Sequence, residues 1–122
     1  MTILADTSIW IDHFRKNRAL LPEWLAKGRI LMHPCVYGEL SCGSMSQRSQ
    51  ILSDLSKLPH AKVALDYEVL QLLETRKLWS RGLGWIEVHL LASAQLSKAS
   101  LWTLDKRLIK AATELGIQLR LS

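Results

Sequence analysis

The stretch TILADTSIW at residues 2–10 contains a short apolar run, a polar turn and the start of an amphipathic segment. Residues 2–5 form the largely apolar run, which stops at Asp6. Thr7 and Ser8 are residue types that favour a helix start, and apolar residues then recur at near-helical spacing through Phe14. The stretch therefore predicts a β-strand, a turn and an α-helix, in that order.

Strand and helix patterns alternate along the rest of the chain. Further short strands are predicted at residues 29–33, 61–64, 100–103 and 116–119. Further helices are predicted at residues 21–27, 34–45, 47–58, 67–79, 85–99 and 106–115. The helix at 85–99 is apolar on almost all sides, which is typical of a buried helix. Because strands alternate with helices and no hairpin signal occurs, the sequence predicts an α/β fold with a parallel sheet.

Length and composition narrow the class of protein. The chain has 122 residues, of which 48% are apolar and 22% are charged. These values predict one globular domain over residues 1–122 and exclude a disordered or membrane-spanning chain. The first residues lack a basic start followed by a long apolar stretch, so no signal peptide is predicted. The net charge of +5 is compatible with a polyanionic partner.

The two cysteines indicate a reducing compartment. Cys35 and Cys42 fall in one predicted helix, at a spacing that separates them by about 10.5 Å along the helix axis. A disulfide needs Cα atoms within about 7 Å of each other. Both cysteines are therefore predicted to be free thiols, as is usual in a cytoplasmic protein.

Two aspartates follow predicted strands directly. Asp6 comes after the first strand, and Asp105 comes shortly after the strand at 100–103. Ligands of open parallel sheets bind at the carboxyl ends of the strands, so both carboxylates are expected at the same edge of the sheet. Each aspartate could equally be the N-cap of the helix that follows it, because Asp is a favoured cap residue.

Two glutamates occur in apolar surroundings. Glu39 shares a helix face with Cys35 and Cys42, so its carboxylate is predicted either to line a cleft or to enter the interior, unless it is an ordinary solvated glutamate. Glu87 opens the apolar helix at 85–99. It could stabilise the helix dipole, or it could reach the edge of the sheet where Asp6 and Asp105 are expected.

Four carboxylates at one edge would repel each other unless a cation lies between them. Carboxylate oxygens are hard ligands that suit Mg²⁺ or Mn²⁺. Such ions keep several waters and take substrate phosphate oxygens as further ligands. The predicted chemistry is therefore metal-assisted hydrolysis of a phosphodiester by metal-activated water.

These motifs, in this order, resemble those of the PIN-domain nucleases, and among them the VapC-type toxins of bacterial VapBC toxin–antitoxin modules. The resemblance covers nearly the whole chain and rests on four segments: Asp6-Thr-Ser8, Gly38-Glu-Leu40, Gly82-Leu-Gly-Trp-Ile-Glu-Val-His-Leu-Leu-Ala-Ser93 and Leu101-Trp-Thr-Leu-Asp-Lys-Arg-Leu108. It implies a PIN-like fold, with a short central parallel sheet flanked by helices in three layers (α/β/α). It also implies an Mg²⁺- or Mn²⁺-dependent endoribonuclease.

The resemblance implies that Asp6, Glu39 and Asp105 are catalytic and hold the metal. The remaining family acid is usually an aspartate in a Gly-x-x-Asp setting, and Glu87 stands at that position here. The additional methylene leaves three possibilities open. Glu87 reaches the metal through a water, the pocket has adjusted to the longer side chain, or the activity is weak or altered.

Further residues are expected around this site. Thr7, Ser8 and Thr103 are candidates for orienting the carboxylates, although ordinary helix or strand-end hydrogen bonds would explain them as well. Basic residues near the site are candidates for contacts with RNA phosphates: Lys106, Arg107 and Arg81.

The resemblance also implies partners. It implies a homodimer that is neutralised by a cognate VapB-like antitoxin, contacts DNA only indirectly through that antitoxin, and has no membrane association. The alternative function is a catalytically weak PIN-like module that acts mainly with its antitoxin in a DNA-bound autoregulatory complex. Metal-dependent RNA cleavage distinguishes the enzyme from this binding module.

Overall fold

The structure, a computed structural model, describes residues 1–16 and 20–120. The strands are β1 (Ile3–Ala5), β2 (Ile30–Leu31) and β3 (Ser100–Trp102). The helices are α1 (Thr7–Lys16), α2 (Leu20–Ala26), α3 (Pro34–Cys42), α4 (Arg48–Ser56), α5 (Asp66–Thr75), α6 (Trp85–Leu96) and α7 (Lys106–Glu114). The predicted order of strand, turn and helix at residues 2–14 is confirmed by β1 and α1.

The three strands form a parallel sheet in the order β2-β1-β3. In the register of the sheet, Leu4 of β1 pairs with Leu31 on one side and Leu101 on the other. All three residues of β1 are fully buried. Because successive side chains of a strand point to opposite faces, helices must cover both faces of the sheet. The short parallel sheet flanked by helices, in three layers, is therefore confirmed.

The predicted strands at 61–64 and 116–119 are wrong as strands. A single parallel bridge forms at each place instead, from His60, just before the first segment, to Met32 and from Gln118 to Leu101. At the first of these places the backbone changes partners. The amide of Lys62 donates to the hydroxyl of Ser97, the C-cap of α6, and the amide of Ala64 donates to that of Ser93 within α6. A backbone whose donors turn toward a helix cannot extend a ladder.

Helix α6 forms the centre of the core. Every residue from Val88 to Ala94 is buried, as the apolar pattern predicts, although the helix ends at Leu96 and not at residue 99. It contacts β1, β3 and α5. Because the sheet and a second helix enclose it, α6 is held in one position relative to β1. This position determines where Glu87, in its first turn, lies relative to the strand ends.

Two further features are the state of the cysteine thiols and the length of the helices. Cys35 and Cys42 are free, as predicted. Within residues 1–16 and 20–120, no helix is both long and apolar enough to cross a membrane.

A buried polar network joins β2 to α6. His33 follows β2 and caps α3, because its Nδ1 accepts a hydrogen bond from the amide of Cys35 at 3.0 Å. The neutral ring therefore carries its proton on Nε2, which lies 3.0 Å from the Ser93 hydroxyl. Burial, with a smaller contribution from the nearby His89 ring, lowers the pKa of His33 to about 4.

We expect this histidine to make folding sensitive to acid. Since folding lowers its pKa, the unfolded chain binds the proton more tightly. The stabilising contribution of neutral His33 is complete above about pH 6.5 and is lost as the pH falls toward about 4. Between pH 7.5 and 4.5, the wild type should lose about 2 kcal/mol more free energy of unfolding in urea than His33→Asn. Asn is the matched replacement, because it can cap α3 without titrating. Parallel losses in the two proteins would contradict the prediction.

Candidate active site

Asp6 lies at the carboxyl end of the central strand, and the sequence predicted this position. Its amide donates to the carbonyl of Trp102 at 3.0 Å, which continues the β1–β3 pairing to the last residue before α1. Its Oδ1 accepts hydrogen bonds from Ser8 Oγ at 2.5 Å and from the amide of Ile9 at 3.2 Å. Its Oδ2 accepts one from the Thr103 hydroxyl. Asp6 therefore both caps α1 and presents its carboxylate at the edge of the sheet.

The environment of Asp6 opposes its negative charge. Burial raises the pKa of Asp6 above its ordinary value, while the hydrogen bonds from Ser8, Thr103 and the backbone act in the opposite direction. Asp6 is only 6% exposed, so water contributes little to its solvation. A nearby cation would therefore be expected to stabilise the ionised carboxylate.

Glu39 reaches the same region from α3. Thr7 at the start of α1 donates a hydrogen bond from Oγ1 to Glu39 Oε1 at 2.6 Å. The side chain is exposed and does not enter the interior, so of the sequence alternatives the structure favours a position that lines a cleft. Its charge, together with burial, raises the pKa of the Cys35 thiol on the same helix face.

Asp105 follows β3 and caps α7. Its Oδ1 accepts hydrogen bonds from the amides of Arg107 at 2.8 Å and Leu108 at 3.2 Å. Its own amide donates to Thr103 Oγ1 at 3.0 Å. Thr103 therefore connects Asp6 and Asp105, and both the capping function and the position at the sheet edge apply to Asp105.

Glu87 lies in the first turn of the buried helix α6. Its carboxylate folds back toward the residue before the helix, and Oε2 lies 3.0 Å from where a Cβ on Gly84 would be. An acidic group at this helix end is favoured by the helix dipole. The additional methylene of glutamate is thus accommodated by the space that Gly84 leaves open.

The four predicted acids line one cleft of about 160 Å³, which we call the acidic cleft. Its lining residues are Asp6, Thr7, Ser8, Glu39, Ile86, Glu87, Leu90 and Asp105. Ile86 and Leu90 were not predicted as site residues, although their spacing of four on the helix that carries Glu87 places them on one face. The tertiary structure therefore brings together carboxylates that are far apart in the sequence.

Ion pairs among the described residues do not offset the charge of the acidic cleft. Within the part of the chain that the structure describes, none of the four carboxylates forms an ion pair with a lysine or arginine. No group of three or more His, Cys, Asp or Glu side chains among those residues is close enough to form a complete metal site. The donor set still suits Mg²⁺, which usually takes one or two protein carboxylates and keeps several waters.

The three basic candidates differ in their surroundings. Lys106 is exposed at the start of α7. Arg81 forms an ion pair with Glu114, with Nη1 3.2 Å from Oε1 and a second contact between Nη2 and Oε2. This pairing lowers the pKa of Glu114. Arg107 packs over Gly82. Sequence reasoning missed the function of Glu114 as a partner of Arg81, because a pair 33 residues apart leaves no local signal.

The sequence of this chain is similar to those of known proteins. The sequence profile of the PIN domain matches residues 3–114. Two curated proteins named Ribonuclease VapC32, from Mycobacterium tuberculosis strains CDC 1551 / Oshkosh and ATCC 25618 / H37Rv, are each 45% identical to this chain over 118 residues. The similar region covers 96% of this chain and 95% of each relative. The chain therefore belongs to the PIN domain family and, within it, to the VapC type.

Proposed function

We propose that the protein is a metal-dependent endoribonuclease and the toxin of a type II toxin–antitoxin system. The observation that carries this proposal is the acidic cleft, in which Asp6, Glu39, Glu87 and Asp105 meet without a neutralising cation among the described residues. The relatives named ribonucleases support RNA as the substrate.

The cofactor in this proposal is Mg²⁺ or Mn²⁺. When bound, such an ion activates water and stabilises the negative charge that develops on a phosphodiester during hydrolysis. Asp6 is the central ligand candidate, because it is buried and its charge is poorly solvated. Asp105 retains a second oxygen, Oδ2, that accepts no hydrogen bond from the described residues. Glu39 and Glu87 complete the set of oxygen donors around the cleft.

Hydroxyl side chains orient these carboxylates. Ser8 and Thr103 each donate to a different oxygen of Asp6, so the plane of the carboxylate is held from both sides. Thr7 similarly restrains Glu39. Such preorganisation reduces the reorganisation needed when substrate binds. No side chain in the acidic cleft has the hydroxyl–histidine or thiol–histidine pairing of a covalent nucleophile, so the proposed hydrolysis uses water.

The proposal includes partners and compartment. We infer a cognate VapB-like antitoxin that inserts a basic side chain into the acidic cleft, a homodimer, and contact with DNA only through the antitoxin. The excess of carboxylates in the cleft supports a basic inhibitor group, because opposite charge would replace the metal. Free thiols support a cytoplasmic location.

A specific observation favours the second candidate function, a catalytically weak module that acts with its antitoxin on DNA. The Glu87 carboxylate folds back toward Gly84. If it stays there when substrate binds, the cleft lacks one of its four acids during catalysis. The two functions make opposite predictions for Glu87→Asp, the substitution that introduces the usual family residue.

The test is cleavage of a broad RNA panel by the purified protein in Mg²⁺, in Mn²⁺ and in excess EDTA. We expect cleavage with either metal and none in EDTA. We also expect Glu87→Asp to cleave about tenfold more slowly, since a site adjusted to glutamate loses reach when a methylene is removed. Asp54→Asn, an exposed carboxylate on α4, is the control for loss of charge alone.

The outcomes separate the candidates. Absence of metal-dependent cleavage over the whole panel would overturn the enzyme and leave the binding module. A rise in activity in Glu87→Asp would show that glutamate weakens catalysis and would support the module.

A further inference from the structure

Two arginines flank one glycine in the loop that leads into α6, the helix that carries Glu87 of the acidic cleft. Arg81 directly precedes Gly82 in the loop before α6, and Arg107 approaches Gly82 from the first turn of α7. Arg81 is engaged by the carboxylate of Glu114 through two contacts. Arg107 forms no ion pair within residues 1–16 and 20–120. The two side chains therefore differ in whether their donors are free to bind a ligand.

Arg107 lies between two segments that carry carboxylates of the acidic cleft, the end of β3 with Asp105 and the start of α6 with Glu87. Its amide is bonded to Asp105 Oδ1 at 2.8 Å, so its backbone is adjacent to that carboxylate. Its guanidinium end packs on Gly82 in the loop that leads into α6. Gly84, toward which the Glu87 carboxylate folds, is two residues further along this loop. The arginine side chain consequently runs from the neighbourhood of Asp105 to the loop that precedes Glu87.

Gly82 makes this position possible. A Cβ on Gly82 would lie 2.8 Å from Cδ and Nη1 of Arg107 and 3.0 Å from Nε. These distances are shorter than van der Waals contact, so any larger residue would displace the arginine side chain. The displaced atoms belong to a flexible side chain. The fold can therefore accommodate a larger residue at position 82, but the Arg107 side chain would have to leave its present position.

We propose that Gly82 positions Arg107 as the cation that binds an RNA phosphate beside the acidic cleft. The inference rests on the proposed ribonuclease function. A planar guanidinium offers paired donors that match two phosphate oxygens, and its charge offsets the repulsion between the RNA backbone and the four carboxylates. Gly82 is then a positioning residue that acts through Arg107. Arg81 differs, because the carboxylate of Glu114 engages both of its Nη atoms and offsets its charge.

A matched glycine separates positioning from backbone strain. Gly82 has φ +76° and Gly116, at the end of α7, has φ +75°, so alanine is equally strained at both positions. A Cβ on Gly116 would meet nothing within 4 Å. Gly82→Ala and Gly116→Ala should therefore lower the urea midpoint to a similar extent. Only Gly82→Ala should alter RNA binding.

The experiment measures the affinity of labelled single-stranded RNA in Mg²⁺ by fluorescence anisotropy, using Asp6→Asn as the parent to prevent cleavage. We expect Gly82→Ala and Arg107→Ala each to weaken binding about tenfold, the scale of a charge-assisted hydrogen bond. The double variant should bind no more weakly than Arg107→Ala alone. In both single variants, the dependence of log affinity on log salt should become shallower by about 0.7, as for one lost phosphate contact on a single strand.

Each result decides a different point. If the parent binds no RNA, the proposed function fails and this inference fails with it. If the parent binds RNA and Gly82→Ala binds as well as Gly116→Ala, the inference alone is overturned. Effects that multiply in the double variant would show that Gly82 does not act through Arg107, and this result would also overturn the inference.

Discussion

Asp6→Asn is expected to lower the rate of RNA cleavage by at least about a thousandfold, because one central carboxylate ligand supplies several kcal/mol of transition-state stabilisation. The substitution preserves the shape of the side chain and an oxygen that can accept from Ser8 and Ile9. The decrease should therefore come from lost charge and not from lost structure. Single-turnover cleavage in saturating Mg²⁺ measures it, and Asp54→Asn should cleave at the wild-type rate.

The same substitution should stabilise the metal-free protein. Burial raises the pKa of Asp6, so the ionised carboxylate destabilises the folded state. Because the pKa is raised, the stabilising contribution of protonated Asp6 is fully present below its unfolded pKa of about 3.8 and is lost as the pH rises through the folded pKa. In EDTA, Asp6→Asn should therefore exceed the wild type in thermal midpoint at pH 7, with a smaller difference in acid.

A higher midpoint together with lost cleavage is the pattern of a functional residue that is maintained at a cost in stability. A lower midpoint would instead indicate that the hydrogen bonds of the carboxylate outweigh its burial. Wild-type cleavage by Asp6→Asn would contradict its assignment as a metal ligand.

Asp105→Ser is expected to cleave RNA about a hundredfold more slowly than the wild type while retaining its stability. Serine is a favoured N-cap, so it can accept the hydrogen bonds that Asp105 receives from Arg107 and Leu108. It supplies no carboxylate to the acidic cleft. Loss of a group that only orients a metal ligand costs about 10–100-fold in activity or metal affinity, so removal of a carboxylate should cost at least the upper end of that range.

Asp105→Ala is the matched comparison, because it removes both the cap and the carboxylate. It should lose about 1 kcal/mol in free energy of unfolding relative to Asp105→Ser, with a similar decrease in cleavage. Urea unfolding and cleavage rates of the two variants measure the cap and the charge separately. If Asp105→Ser cleaves as fast as the wild type, Asp105 is only a helix cap.

Much of the fold was predictable because its signals are local. The apolar run before Asp6, the helix-start residues Thr7 and Ser8, and the apolar helix around Leu91 each report their own backbone environment. The segment at 61–64 was predicted wrongly as a strand for the complementary reason. Its amides bond to Ser93 and Ser97, about thirty residues away, and no local pattern records such a partner.

By itself, the sequence determined which carboxylates follow strands and which lie at helix starts. It therefore indicated that Asp6 and Asp105 belong at one edge of a parallel sheet. Only the tertiary structure decided that Glu39 bonds to Thr7 and that Glu87 folds toward Gly84. It also decided that Arg81 pairs with Glu114 whereas Arg107 packs on Gly82. The physical reason is range. Helix caps and apolar periodicity act over a few residues, whereas ion pairs, burial and steric contacts depend on which distant segments packing brings together.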